Sequence, residues 1–187
     1  MKRAFVLAAT QIAAIGLIVA LAAAASAQAK GGGAKHATAE IKNASGTVIG
    51  SAKFTEDGTG RVHVNVHVKG LTAGLHGIHI HGTADCEPFA DAGAHYNPPP
   101  THQHGLQNPA GPHAGDLPNL KVNAEGVGHL NAKTSLVTLS PGAKTLFDAT
   151  AGAVNSALVI HANQDDQVTD PIGNSGARIA CGLIVAK

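Results

Sequence analysis

The chain has 187 residues, with 13 Lys and Arg against 12 Asp and Glu, a formal charge of +1 and 3% aromatic residues. So even a balance, without a basic stripe or a set of stacking rings, gives no footing for nucleic acid or an anionic membrane surface as partner. The length is that of one domain with room for a real core.

Lys2 and Arg3 precede an apolar run over residues 4–25 that ends in Ala25-Ser26-Ala27, the small-residue pattern of a cleavage site. Residues 1–27 therefore read as a secretory leader, the alternative being an uncleaved anchor, because the run approaches spanning length. Removing the leader leaves 160 residues with 11 basic against 12 acidic groups, a formal −1. No lipidation cysteine follows it, so a periplasmic or secreted product, free of the membrane once cleaved, is expected. Residues 28–36, QAKGGGAKH, form a flexible tether without periodicity, and residues 37–187 make up the folded domain.

The domain reads as strands. RVHVNVHV at 61–68 alternates strictly, with Val62, Val64, Val66 and Val68 on one face and Arg61, His63, Asn65 and His67 on the other. Shorter runs at 37–42, 46–54, 77–81, 120–123, 127–132, 157–161 and 178–186 are separated by turn signals such as EDGTG and NAEG. About eight strands without a long helix predict an all-β sandwich or barrel, with room for a helical turn in the Ala-rich stretch 149–157. Residues 82–118 break the rhythm. They hold seven of the nine prolines and form a connection too long for a hairpin, so the segment needs pins.

Cys86 and Cys181 are the only cysteines. An even count in an exported chain points to one disulfide, two free thiols being the alternative. Closing so long a loop is worth about 4–5 kcal/mol in the chain-entropy account.

The twelve histidines divide. His63, His67 and His129 lie on polar strand faces and His36 in the tether, and all four read as solvated. His79 and His81 share one face of a strand, while His161 ends an apolar run and His95 precedes a turn at Pro98–Pro100. Four imidazoles able to meet suit tetragonal Cu(II). His104, His113 and Asp116, with one shared histidine, complete an N3O set suited to zinc.

Five separated motifs, GLHGIHIHG, GAHYNP, HG followed by PHAGDLPNL, LVIHANQDD, and GNSGARIACGLI, resemble in order those of copper/zinc superoxide dismutase in its exported bacterial form. The resemblance spans residues 37–187. It implies a Greek-key β-sandwich or flattened barrel of about eight antiparallel strands with two long functional loops, of which this enzyme is itself a standard example. It implies copper on His79, His81, His95 and His161, zinc on His95, His104, His113 and Asp116, and His95 bridging the two as an imidazolate. It implies further that Asp165 links a copper histidine to a zinc histidine, that Cys86 pairs with Cys181, and that Arg178 stands beside the copper. His76 matches a structural histidine, and His102 matches nothing.

The implied activity is conversion of superoxide to oxygen and hydrogen peroxide by copper redox cycling, with His95 and Arg178 as the catalytic side chains. Superoxide is then the partner, and a homodimer is possible in a family whose dimer contacts vary. Residues 71–119 contain no Lys or Arg, and 162–177 only acids, so attraction of an anion falls mainly to the metals and long-range steering is expected to be weak. The rival readings are a non-catalytic copper/zinc-binding relative, a zinc hydrolase on three histidines, a plain structural sandwich, and an Arg178 tied in a salt bridge to Asp165, Asp166 or Asp170.

Overall fold

The computed structural model describes residues 36–148, 153–154 and 156–187. The leader, nearly all of the tether and most of the Ala-rich stretch lie outside the described residues.

Strand β1 (His36–Asn43) pairs antiparallel with β2 (Val48–Glu56), and β2 with β3 (Val62–Lys69). The alternation expected at 61–68 holds: Val62, Val64, Val66 and Val68 are buried, and Asn65 and His67 are exposed. The run at 77–81 is interrupted, since β4 (Gly74–His76) and β5 (Ile78–His81) are separate strands on either side of Gly77. A 3-10 turn (Phe89–Ala92) interrupts the following loop, and β6 (Leu120–Val122) and β7 (Val127–Thr134) form a hairpin. The short β8 (Phe147–Asp148) and β9 (Ala153–Val154) pair with each other. Strands β10 (Ala157–His161), β11 (Arg178–Leu183) and β12 (Val185–Ala186) complete the chain.

The sheet order is β4-β6-β7-β3-β2-β1-β11-β10-β5, with β12 also on β1. Its first and last members, β4 and β5, are joined by the single residue Gly77, so the sheet curls round into a nearly closed antiparallel barrel. Gly77 is required there by space. A Cβ at this position would come within 2.7 Å of the Ser175 Cβ, while its own N–H and C=O bond to Asn163 and His161, each at 2.8 Å.

The interior is filled from all sides by Ile41, Phe54, Val64, Ile78, Ile80, Leu120, Leu158 and Ile160, all buried. On β5 and β10 the outward positions are buried as well, because the loops 82–119 and 162–177 lie over them. A small second cluster, Ala92, Ala157, Val159 and Cys181 with Cys86 and Phe89 against it, sits on that outer face. Cys86 and Cys181 form the disulfide, with Cα atoms 5.7 Å apart, and tie the first loop to β11.

Candidate metal centre

Period-2 geometry on β5 sends Ile78 and Ile80 into the barrel and His79 and His81 outward, under the loops. His161, two residues past the outward-facing Val159, reaches the same face from the end of β10, opposite Arg178 after a register shift. His95 is brought alongside by the first loop, which bridges β5 at His81↔His95 and His79↔Asp116 and is anchored by bonds of 2.8 Å from Ile80 N–H to Gly115 O and from Tyr96 N–H to Ile80 O. One ring nitrogen from each of His79, His81, His95 and His161 lies within 4.8 Å of the others, and all four residues are buried.

Which nitrogen faces inward is decided by what the other one holds. His81 Nδ1 donates to Gly93 O at 2.9 Å, His161 Nδ1 to Gly176 O at 3.1 Å, and His79 Nε2 lies 2.7 Å from Asp165 Oδ2. The opposite atoms, His79 Nδ1, His81 Nε2, His95 Nε2 and His161 Nε2, are buried without a hydrogen-bond partner. Four such atoms aimed at one point would be costly in a protein interior unless they share a cation. Burial also keeps the rings of His79, His81 and His161 neutral, the ligating form. It lowers His79 to about 3, His81 to about 2 and His161 to about 4.

A second group adjoins the first through His95. Asp116 Oδ1 is 2.9 Å from His95 Nδ1, 3.0 Å from His104 Nδ1 and 3.6 Å from His113 Nδ1. Ligands on a tetrahedral zinc lie about 3.3 Å apart, given Zn–N distances of about 2.0 Å. Among the described residues, the second set of donor atoms lying within 4.8 Å of one another is His79, His95, His104 and Asp116 rather than the expected one with His113. His79, however, has its Nε2 on Asp165, whereas His113 Nδ1 is buried and unpartnered beside Asp116, so His113 fits the fourth position better. Backbone N–H groups of Gly105 and His113, at 2.8 and 2.9 Å, hold the other Asp116 oxygen. Burial would raise the Asp116 pKa, but hydrogen bonds from His104 and His95 outweigh it and hold the carboxyl far below its ordinary range.

Asp165 joins the two groups. Its oxygens lie 2.7 Å from His79 Nε2 and 3.0 Å from His104 Nε2, and reciprocal 2.8 Å bonds with Asn119 fix its backbone. Burial works against its charge, yet those two histidines hold the Asp165 pKa at about 2. His104 is the converse case. Burial pushes it down, but Asp116 and Asp165 flank both ring nitrogens and lift it to about 9 without metal. The positive-φ Gly173 packs so close that a Cβ there would come within 2.7 Å of His104 Nε2. Nothing in the spacing of the sequence marks Gly173, Asn119 or the carbonyls of Gly93 and Gly176 as parts of the site.

Arg178 makes none of the three salt bridges weighed from the sequence. Its guanidinium donates from Nη1 to Phe89 O at 2.6 Å and Ala90 O at 2.9 Å, and from Nη2 to Gly93 O at 2.5 Å. It lies across from His161 in the β10–β11 register and shares the Gly93 carbonyl with His81, so a fixed cation edges the first group. His76 ties the seam together, its ring nitrogens 2.8 Å from His161 O and 2.9 Å from Thr72 O, in keeping with a structural role. His102 is exposed and contributes only its carbonyl, to Asn97. His63, His67 and His129 lie on the far strands.

A nearly closed antiparallel barrel carrying two adjoining, overlapping histidine-rich groups, each able to hold a metal ion, defines a metal-binding barrel. The family model for copper/zinc superoxide dismutase matches residues 48–184, and the chain belongs to that family. It is 42% identical to Cu-Zn superoxide dismutase 2 of Aquifex aeolicus over 151 residues, 79% of this chain and 85% of that one. Identity to the Cu-Zn superoxide dismutase of Caulobacter vibrioides is also 42%, over 152 residues covering 79% and 84% of the two chains. The superoxide dismutase-like protein YojM of Bacillus subtilis is 35% identical over 79% of this chain and 75% of its own. The crystal structure of a SOD-like protein from Bacillus subtilis superposes with a TM-score of 0.71 at 33% identity, over 78% of this chain and 96% of that one. Copper and zinc are the metals of the family, and the two clusters are able to hold them.

Proposed function

We propose that this chain is an exported superoxide dismutase in which His79, His81, His95 and His161 hold copper and His95, His104, His113 and Asp116 hold zinc. The observation that carries the reading is the set of five buried ring nitrogens without partners, four aimed at one point and the fifth beside Asp116. His95 serves both groups, with Nδ1 toward Asp116 and Nε2 toward the other three rings. When bound, copper supplies one-electron redox chemistry, and zinc a fixed positive charge with no redox chemistry of its own.

The protein's own groups do the rest. Carbonyl and carboxylate partners on the outer nitrogens of His81, His161 and His79 fix tautomer and ring plane, so the rings need not reorient during turnover. Arg178 is always charged, and three of its five donors are engaged by carbonyls, which aims the remaining N–H groups at a small anion. His95 Nε2 can take up a proton and give it to the reduced product. Two superoxide ions and two protons then leave as one oxygen and one hydrogen peroxide.

The apolar run before Ala27, together with the Cys86–Cys181 disulfide, supports export to the periplasm or beyond. Chain loaded with one copper and one zinc should consume superoxide catalytically, and zinc-only chain should not. Similarity to YojM, whose name says only superoxide dismutase-like, favours one second reading, a protein that holds both metals without turnover. Full metal loading with no acceleration of superoxide loss would establish it and overturn the first.

A further inference from the structure

The register of β3 on β7 sets His67 directly opposite His129 on the outer face of the barrel. Both side chains are exposed, their ring centroids are 4.4 Å apart, and their Nδ1 atoms approach to 3.2 Å. One hydrogen can join two such nitrogens only if one ring carries it, whereas one cation can be held by both lone pairs at once. At metal–nitrogen distances of about 2.0 Å, adjacent ligands stand about 2.8 Å apart in a square and about 3.3 Å apart in a tetrahedron. The observed separation falls inside that window. Adjacent strands hold the two Cα atoms in place, so little ordering is needed to chelate.

We propose that His67 and His129 form a bidentate surface site for a divalent transition metal of the imidazole-preferring class, copper(II) or zinc(II), separate from the buried centre. Counted either way round the nearly closed barrel, β3 and β7 lie three or more strands from β5 and β10, so no ligand is shared. Ser51, across from His67 on β2, and Lys121, across from His129 on β6, complete the row. Neither is a carboxylate, so the open coordination positions fall to water. Imidazole-preferring metals are selected over calcium or magnesium, which need oxygen ligands. The site would be filled at high copper and emptied by mild chelation, unlike the enclosed centre.

The test is titration of metal-loaded protein with copper(II), followed by electron paramagnetic resonance and calorimetry. One further equivalent with nitrogen coupling is expected, and H67A and H129A should each weaken it roughly tenfold or more by removing the chelate. Dismutase activity and the spectrum of the buried copper should not change in either variant. H63A and H102A are controls for general histidine binding and should leave the extra equivalent intact. Absence of the extra equivalent, or its persistence in both H67A and H129A, would overturn the proposal.

Discussion

Two walls of one barrel carry histidines on outward-facing strand positions, and they differ in what lies over them. On β5 and β10, His79, His81 and His161 are buried beneath two loops, with each outer nitrogen bonded and each inner one left over. On β3 and β7, His67 and His129 stand in solvent, and His63 is half-buried against Asp57 at 2.9 Å. The strand geometry is the same. The covering loops supply both the desolvation that keeps a ring neutral and the carbonyls and carboxylates that orient it. A histidine on a strand is therefore held rigidly enough to ligate only where the fold gives its second nitrogen something to hold.

The most severe way to break this contrast is to remove a proposed ligand from the covered wall. His161→Ala should abolish copper retention and lower superoxide turnover by more than about a hundredfold, read by metal analysis and assay of the same sample. Removing the support while keeping the ligands should cost less. Asp165→Asn should weaken metal binding about 10- to 100-fold, with zinc and copper both affected because His104 and His79 each lose a carboxylate.

Acidity sharpens the contrast. His79, His81 and His161 are depressed to about 3, 2 and 4, so the unfolded chain takes up protons before the folded one does. Metal-free protein should thus lose stability as pH falls below about 6.5. His104 has the opposite sign. Raised to about 9, its contribution is complete below about 6.5 and is lost as pH climbs through 9. A melting-temperature profile of metal-free protein should peak near pH 6.5, and a flat profile would show that these rings are solvated. The smallest effect belongs to the open wall. His63→Ala should change stability by no more than about 0.5 kcal/mol and leave activity unaltered, since it removes only a partly exposed contact with Asp57.

Much of this was legible in the sequence. The valines of β3 announce their face through a period of two, and the same rule sets His79 and His81 on one side. The proline-rich excursion declares itself by length, and one of its expected pins, Cys86, is bonded to Cys181. What stayed hidden depends on contacts between distant segments. The facing of His67 and His129 is fixed by a register between residues 62 apart, which no local pattern encodes. Arg178 could be assigned a charge but not its anchors, because the carbonyls of Phe89, Ala90 and Gly93 carry no side-chain signature. Gly77 looked like the start of one strand and is instead the step between two.

That one-residue step has a bearing on how copies of the chain can meet. A sheet that curls back on itself has no long row of unused backbone donors and acceptors. Here β4 is three residues long, and Ile80 on β5 bonds to Gly115 and Tyr96 of the overlying loop. Association by extending the sheet from one molecule into the next is therefore closed off along these two strands. A pair of molecules joined at this part of the surface would have to be held by side chains, and could form and part without disturbing the hydrogen-bonded wall behind the histidine cluster.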